Sequence, residues 1–198
     1  MIDTVVFDIG QVLAQFRWQE LIRDMGCTGE TARALGEATV RSPWWPKVDL
    51  GAPQEEYEAG MKADHPELTA LIEQFFSRSL ELTREYPYSL PLIEDLHRKG
   101  IKVYLLSNYG DHLFHEANPT WRFFPHVDGM VISYELGIVK PDPRIYRALL
   151  ERYQITPEHA VFLDDVPENA EGARKVGMHA IHFTDLPSAL KELHALGV

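Results

Sequence analysis

Four hydrophobic runs in this 198-residue chain end in side chains suited to handling a phosphate. They are Val5-Val6-Phe7-Asp8-Ile9-Gly10, Val103-Tyr104-Leu105-Leu106-Ser107-Asn108, Gly137-Ile138-Val139-Lys140-Pro141 and Val161-Phe162-Leu163-Asp164-Asp165. The Asp8 carboxylate can attack phosphorus and carry the phosphoryl group as an acyl phosphate. Asp164 and Asp165 are adjacent acids that repel each other and call for a positive partner. Magnesium takes oxygen ligands and needs only one or two protein carboxylates. Asp8, Asp165 and the carbonyl of Gly10 offer that donor set, with Asp164 behind it orienting a bound water. Lys140 can neutralise Asp8 and an incoming phosphate together, and Pro141 and Pro143 stiffen its loop. Ser107 offers a hydroxyl and Asn108 an amide to phosphate oxygens. Each residue also has a plainer reading by itself. Asp8 is then a strand-end or capping aspartate, the acid pair is solvated, Lys140 is an exposed lysine, and Ser107-Asn108 is a turn.

These residues can act together only if buried strands deliver them to one edge. In open α/β sheets, ligands bind at the carboxyl edge. Strands are expected over residues 3–8, 101–106, 129–133, 161–163 and 179–183. Helices are expected over 90–99, 143–153, 168–175 and 187–196, with a helix start over 111–116. Such alternation implies an α/β fold with a parallel sheet covered on both faces. From 16 to 84 the apolar spacing turns helical: Trp18, Leu21, Ile22 and Met25, then Leu68, Leu71, Ile72, Phe75 and Phe76. No strand is expected there, and Ser42-Pro43-Trp44-Trp45-Pro46 should break any helix. This stretch reads as a small helical insertion.

The bulk numbers set limits. A chain of this length with 45% hydrophobic residues suits one core with a modest insertion. No apolar stretch is long enough to span a bilayer, and the start of the chain lacks a basic leader, so neither membrane nor secretory signal is expected. Cys27 is the only cysteine, which excludes an internal disulfide and fits a reducing cytoplasm. The net charge of −11 without a basic stripe argues against nucleic acid as a partner. It leaves a small phosphorylated metabolite open, because one cation and one lysine can reverse the local field. Nothing bears on oligomeric state.

Together, Phe-Asp-Ile-Gly-Gln-Val-Leu at 7–13, Leu-Ser-Asn at 106–108, Gly-Ile-Val-Lys-Pro at 137–141 and Phe-Leu-Asp-Asp at 162–165 resemble the haloacid dehalogenase-like hydrolase superfamily, in its motif order. The resemblance implies a Rossmann-like core at 1–15 and 87–198 and a mobile helical cap at 16–86. It implies Asp8 as nucleophile, Ser107 and Asn108 as phosphate-binding groups, Lys140 as the charge-steadying cation and Asp165 as a magnesium ligand. It also implies that Asn169 orients the metal site or its loop. One position departs from the pattern. Most phosphatases of the family carry a second aspartate two residues after the nucleophile, as general acid and base, where this chain has Gly10. The Asp-x-Gly start is similar to that of sugar-1-phosphate phosphatases, whose anomeric leaving oxygen needs less protonation. Two rivals remain open: a 2-haloacid dehalogenase, and a catalytically impaired phospholigand-binding protein.

Other features carry less. Trp44-Trp45 reads as cap packing, with a substrate-stacking surface as the alternative. His112 and His115 read as helix-surface residues before a metal or proton role, and Glu55-Glu56 reads as a solvated helix start.

Overall fold

The structure is a computed structural model that describes all residues from Met1 to Val198. Its strands are β1 (Thr4–Phe7), β2 (Ala14–Phe16), β3 (Thr83–Glu85), β4 (Lys102–Ser107), β5 (Gly129–Ile132), β6 (Ala160–Asp164) and β7 (His179–His182). Five helices lie between β2 and β3: α1 (Trp18–Asp24), α2 (Gly29–Ala38), α3 (Trp45–Asp49), α4 (Gln54–Asp64) and α5 (Thr69–Ser77). The remainder are α6 (Ser89–Arg98), α7 (Asp111–Ala117), α8 (Ser133–Leu136), α9 (Pro143–Tyr153), α10 (Pro167–Lys175) and α11 (Leu186–Ala195).

Five strands form one parallel sheet in the order β5-β4-β1-β6-β7. The chain runs outward from β1 through β4 to β5, then crosses back to β6 and β7. The direction therefore reverses beside β1, the kind of switch point at which a crevice opens beyond the strand ends. Alternation along each strand builds two cores. Val5, Phe7, Val103, Leu105, Val161 and Leu163 pack on one face, with α6 and α11. Val6, Tyr104, Leu106 and Phe162 pack on the other, under Ile145, Tyr146 and Leu149 of α9. All four residues of β1 are buried, because helices cover it on both sides. No helix is long and apolar enough to cross a membrane.

A third core of 14 buried residues lies mainly within α1 to α5, including Leu21, Leu35, Tyr57, Ile72, Phe75 and Phe76. One expectation needs correction here, and another holds with an addition. Strands do border the helical segment: β2 and β3 pair antiparallel, Ala14 opposite Glu85 and Phe16 opposite Thr83. Three residues are too few to show alternation in sequence, and the pairing joins segments distant along the chain. The Tyr88 hydroxyl donates to Val12 O (2.5 Å) and Ser89 Oγ to Leu13 O (2.6 Å), closing the same neck. Ser42–Pro46 does more than interrupt. It follows the end of α2 and starts α3, with Pro46 in the first turn, where a missing N–H costs nothing.

Trp44 packs so closely on Gly60 that a Cβ there would sit 2.2 Å from the indole. Gly60→Ala should therefore destabilise the protein by about 1–3 kcal/mol through overpacking. Chemical denaturation measures this; an unchanged midpoint at unchanged slope would contradict the packing.

Candidate active site

Strand parity explains how the rim is assembled. Side chains alternate across a strand, so Asp8 follows Val6 to one face and Asp164 follows Phe162 to the same face. Lys140 reaches that face from the loop before α9. Its Nζ lies 2.9 Å from Asp8 Oδ1 and 2.6 Å from Asp164 Oδ2. All three side chains are almost wholly withdrawn from solvent, Lys140 at 1% and Asp164 at 0% exposure. Asp165 has the opposite parity and remains half-buried at the rim.

Several contacts fix Lys140 in place. Asp142 caps α9 by accepting from Arg144 N (2.9 Å), and Pro143 occupies the first turn. Asn108 Oδ1 accepts from Lys140 N (2.8 Å), and Asn108 Nδ2 donates to Lys140 O (3.1 Å). The sequence points the Asn108 amide at phosphate; in the structure that amide is committed at both ends to the lysine backbone. Ser107 Oγ donates to Asp8 Oδ1 (2.7 Å). The lysine and the serine thus share one oxygen of Asp8. Asp164, expected behind a metal and orienting its water, is the second anion of the lysine pair. It also accepts from Val166 N (2.8 Å) and from Asn169 Nδ2 (3.1 Å to each oxygen). Asn169 therefore meets Asp164 directly.

The electrostatics follow from burial and crowding. Burial raises the Asp8 carboxyl above the usual carboxylate range, with Lys140 opposing the rise and Asp164 adding to it. Burial also works against the charge of Lys140, but Asp8 and Asp164 outweigh it and hold the ammonium above its ordinary value. Asp165 is pushed up to about 6, first by burial and then by Asp8 and Asp164. Ligand oxygens of Asp8, Asp164 and Asp165 lie within 4.8 Å of one another. Such a set of hard oxygen donors, three acids against one lysine, fits a divalent cation such as magnesium.

A cavity of about 240 Å³ opens over these groups. Asp8, Gly10, Ser107, Asn108, Lys140 and Asp165 form its polar floor. Phe16, Trp45, Leu82, Tyr109 and Leu113 form an apolar wall. Trp44 and Trp45 therefore part company. Trp44 donates from Nε1 to Asp64 (2.8 Å) and packs on Gly60, whereas Trp45 lines the cavity beside Phe16. His112 and His115 face Glu116 (3.5 Å) and Asp111 (3.2 Å) on α7, outside the cavity. Glu55 and Glu56 are exposed in the first turn of α4. A cleft of about 380 Å³ between α1 and α2 contains none of the rim residues.

One acid in the cavity wall escapes a reading of the sequence. Asp49, at the end of α3, shares the cavity with Asp8 and Lys140. Burial pushes its carboxyl up to about 7; Lys140 opposes the rise and Asp8 adds to it. The available signal is slight: an acid two residues before Gly51, whose φ of +87° marks a turn that glycine favours.

Comparison with known proteins gives the family and the fold. The family model for haloacid dehalogenase-like hydrolases matches residues 2–177. Acyl-CoA dehydrogenase family member 10 of Mus musculus is 34% identical over 97% of this chain, which spans only 19% of the mouse protein. A sesquiterpene phosphatase of Aspergillus oryzae is 27% identical, over 96% of this chain and 94% of that protein. Among solved structures, a Bacteroides thetaiotaomicron HAD family enzyme in complex with magnesium and inorganic phosphate superposes with a TM-score of 0.72. At 23% identity over 91% of this chain and 93% of that one, it establishes the shared fold.

Removing Lys140 leaves two buried carboxylates unpaired. Lys140→Met should cost about 3–5 kcal/mol of stability. Urea unfolding without added metal measures it, and wild-type stability would contradict the ion-pair geometry.

Proposed function

This chain belongs to the haloacid dehalogenase-like hydrolases, and from that membership we propose a magnesium-dependent phosphatase that hydrolyses a small phosphomonoester through an aspartyl-phosphate. The observation that carries the reading is the Asp8–Lys140 ion pair on the floor of a cavity that Asp165 also lines. A nucleophile, a buried cation and a cluster of hard oxygen donors there suit phosphoryl transfer.

Asp8 attacks phosphorus in line with the leaving oxygen. Lys140 and Ser107 anchor Asp8 Oδ1, which fixes the direction of the carboxylate before substrate arrives. Lys140 also draws the anionic phosphate toward an anionic nucleophile. Asp8, Asp165 and the Gly10 carbonyl would hold magnesium, which when bound neutralises charge on the transferring phosphoryl group. Water then hydrolyses the aspartyl-phosphate and frees Asp8. Residues 16–86 act as a cap that excludes bulk water and selects substrate. The organic group lies against Phe16, Trp45 and Leu82. A sugar phosphate satisfies the polar floor, with its ring against Trp45. A phosphomonoester with an apolar organic group satisfies floor and wall, and the sesquiterpene phosphatase among the relatives points the same way. The free, buried Cys27 is consistent with a reducing cytoplasm.

The rivals fit less well. A 2-haloacid dehalogenase would leave the crowded acids without a use. A binding protein would have no need of a nucleophile fixed by two contacts.

A panel of phosphorylated metabolites, including sugar and isoprenoid phosphates, assayed with magnesium and with chelator, tests the reading. Turnover should require magnesium and should vanish in Asp8→Asn with the fold intact. Magnesium should also raise the melting temperature of the wild type, and chelator should reverse the rise. Chelator-resistant activity on chloroacetate would overturn the assignment, as would full phosphatase activity in Asp8→Asn.

A further inference from the structure

We propose that Asp49, contributed by the helical segment, is the proton donor and acceptor that the core lacks at Gly10. This rests on the phosphatase reading and specifies how its leaving group departs.

Three observations carry it. First, Asp49 lines the same cavity of about 240 Å³ as Asp8, Lys140 and Asp165, but is carried by α3 together with Trp45 of the apolar wall, against which the proposed function sets the organic group. Second, its backbone is tied to the catalytic half of the molecule. Ser133 Oγ donates to Asp49 O (2.5 Å) and accepts from Tyr109 N (2.9 Å), and Ser133 is fully buried. The turn behind it is equally close, since a Cβ at Gly51 would meet Tyr134 O at 2.9 Å. Third, the Asp49 carboxyl has no hydrogen bond or close ion pair of its own. Burial, Lys140 and Asp8 alone set its proton affinity. That affinity, near 7, suits a group that must give a proton and take one back at neutral pH. The other ionisable group in the wall, the Tyr109 phenol, is pushed well above its ordinary value by burial and holds its proton too tightly.

In the first step, Asp8 forms a bond to phosphorus as the bond from phosphorus to the ester oxygen breaks. The protonated Asp49 carboxyl gives its proton to that oxygen, so a neutral alcohol leaves and Asp49 becomes a carboxylate. In the second step, water attacks the phosphorus of the aspartyl-phosphate and Asp49 takes one proton from it. Inorganic phosphate leaves, Asp8 returns as a carboxylate and Asp49 is protonated again. Charge and atoms balance over the cycle. With such a donor in place, the chain does not need the easily expelled anomeric oxygen that Gly10 suggests.

The test uses leaving groups of different basicity. p-Nitrophenolate leaves without a proton, whereas the alkoxide of phenethyl phosphate needs one. In single-turnover experiments with magnesium, Asp49→Asn should slow alcohol release from phenethyl phosphate by about 10²–10⁴-fold. Release of p-nitrophenol from its phosphate should hold near the wild-type rate. Gly10 has open space around a built Cβ, so combining Gly10→Asp with Asp49→Asn should restore alcohol release. Equal losses on both substrates, or no loss on either, would overturn the role of Asp49. Wild-type enzyme inert toward every phosphomonoester would instead sink the phosphatase reading, and this proposal with it.

Discussion

The buried ammonium of Lys140, held between Asp8 and Asp164, is the constraint around which the rest of the structure is arranged. A lone charge in such a place costs several kcal/mol. Here the lysine faces two carboxylates at 2.9 and 2.6 Å, so each charge has a partner. Neighbouring groups serve the pair: Asn108 grips the lysine backbone, Asn169 and Val166 N bind Asp164, and Ser107 binds Asp8. The Phe162 ring lies 5.3 Å from the ammonium and shields it from below. One positive charge does not balance Asp8, Asp164 and Asp165 together. That imbalance is the one a divalent cation would offset under the proposed function.

Much of this is legible in the chain. β1, β4 and β6 are buried on both faces, so each shows in sequence as an unbroken apolar run, and the polar residue ending the run marks the sheet edge. Asp8, Ser107 and Asp164 stand out for that reason. Lys140 stands out because Pro141 and Pro143 bracket the start of a strongly patterned helix, observed over Pro143–Tyr153.

What is not legible depends on contacts between distant segments. Asp49 ends a helix of five residues, too short for a periodic signature. It shares a cavity with Asp8, and its backbone carbonyl accepts a hydrogen bond from Ser133, 84 residues away. The pairing of β2 with β3 is equally non-local. Asn108 reads correctly as a rim residue, yet which partner its amide takes depends on the backbone path of a loop 32 residues away. The two tryptophans show the same limit: adjacent in sequence, one packs on a glycine and the other faces the cavity.

The helical segment is not merely laid on the sheet. Leu113 of α7 belongs to its hydrophobic core, and Gly110 approaches Val48 so closely that a Cβ would lie 2.5 Å from its side chain. α3 presents Trp45 and Asp49 to the cavity that Asp8 and Lys140 also line, so under the proposed function substrate selection and chemistry would be coupled through this helix.

The most direct measurement is the mass of the protein quenched in acid during turnover of a phosphomonoester. Covalent catalysis at Asp8 predicts one added phosphoryl group per chain, located by peptide mapping to the segment holding Asp8 and absent from Asp8→Asn. A turning-over enzyme that never acquires that mass, or acquires it at another residue, would contradict the account.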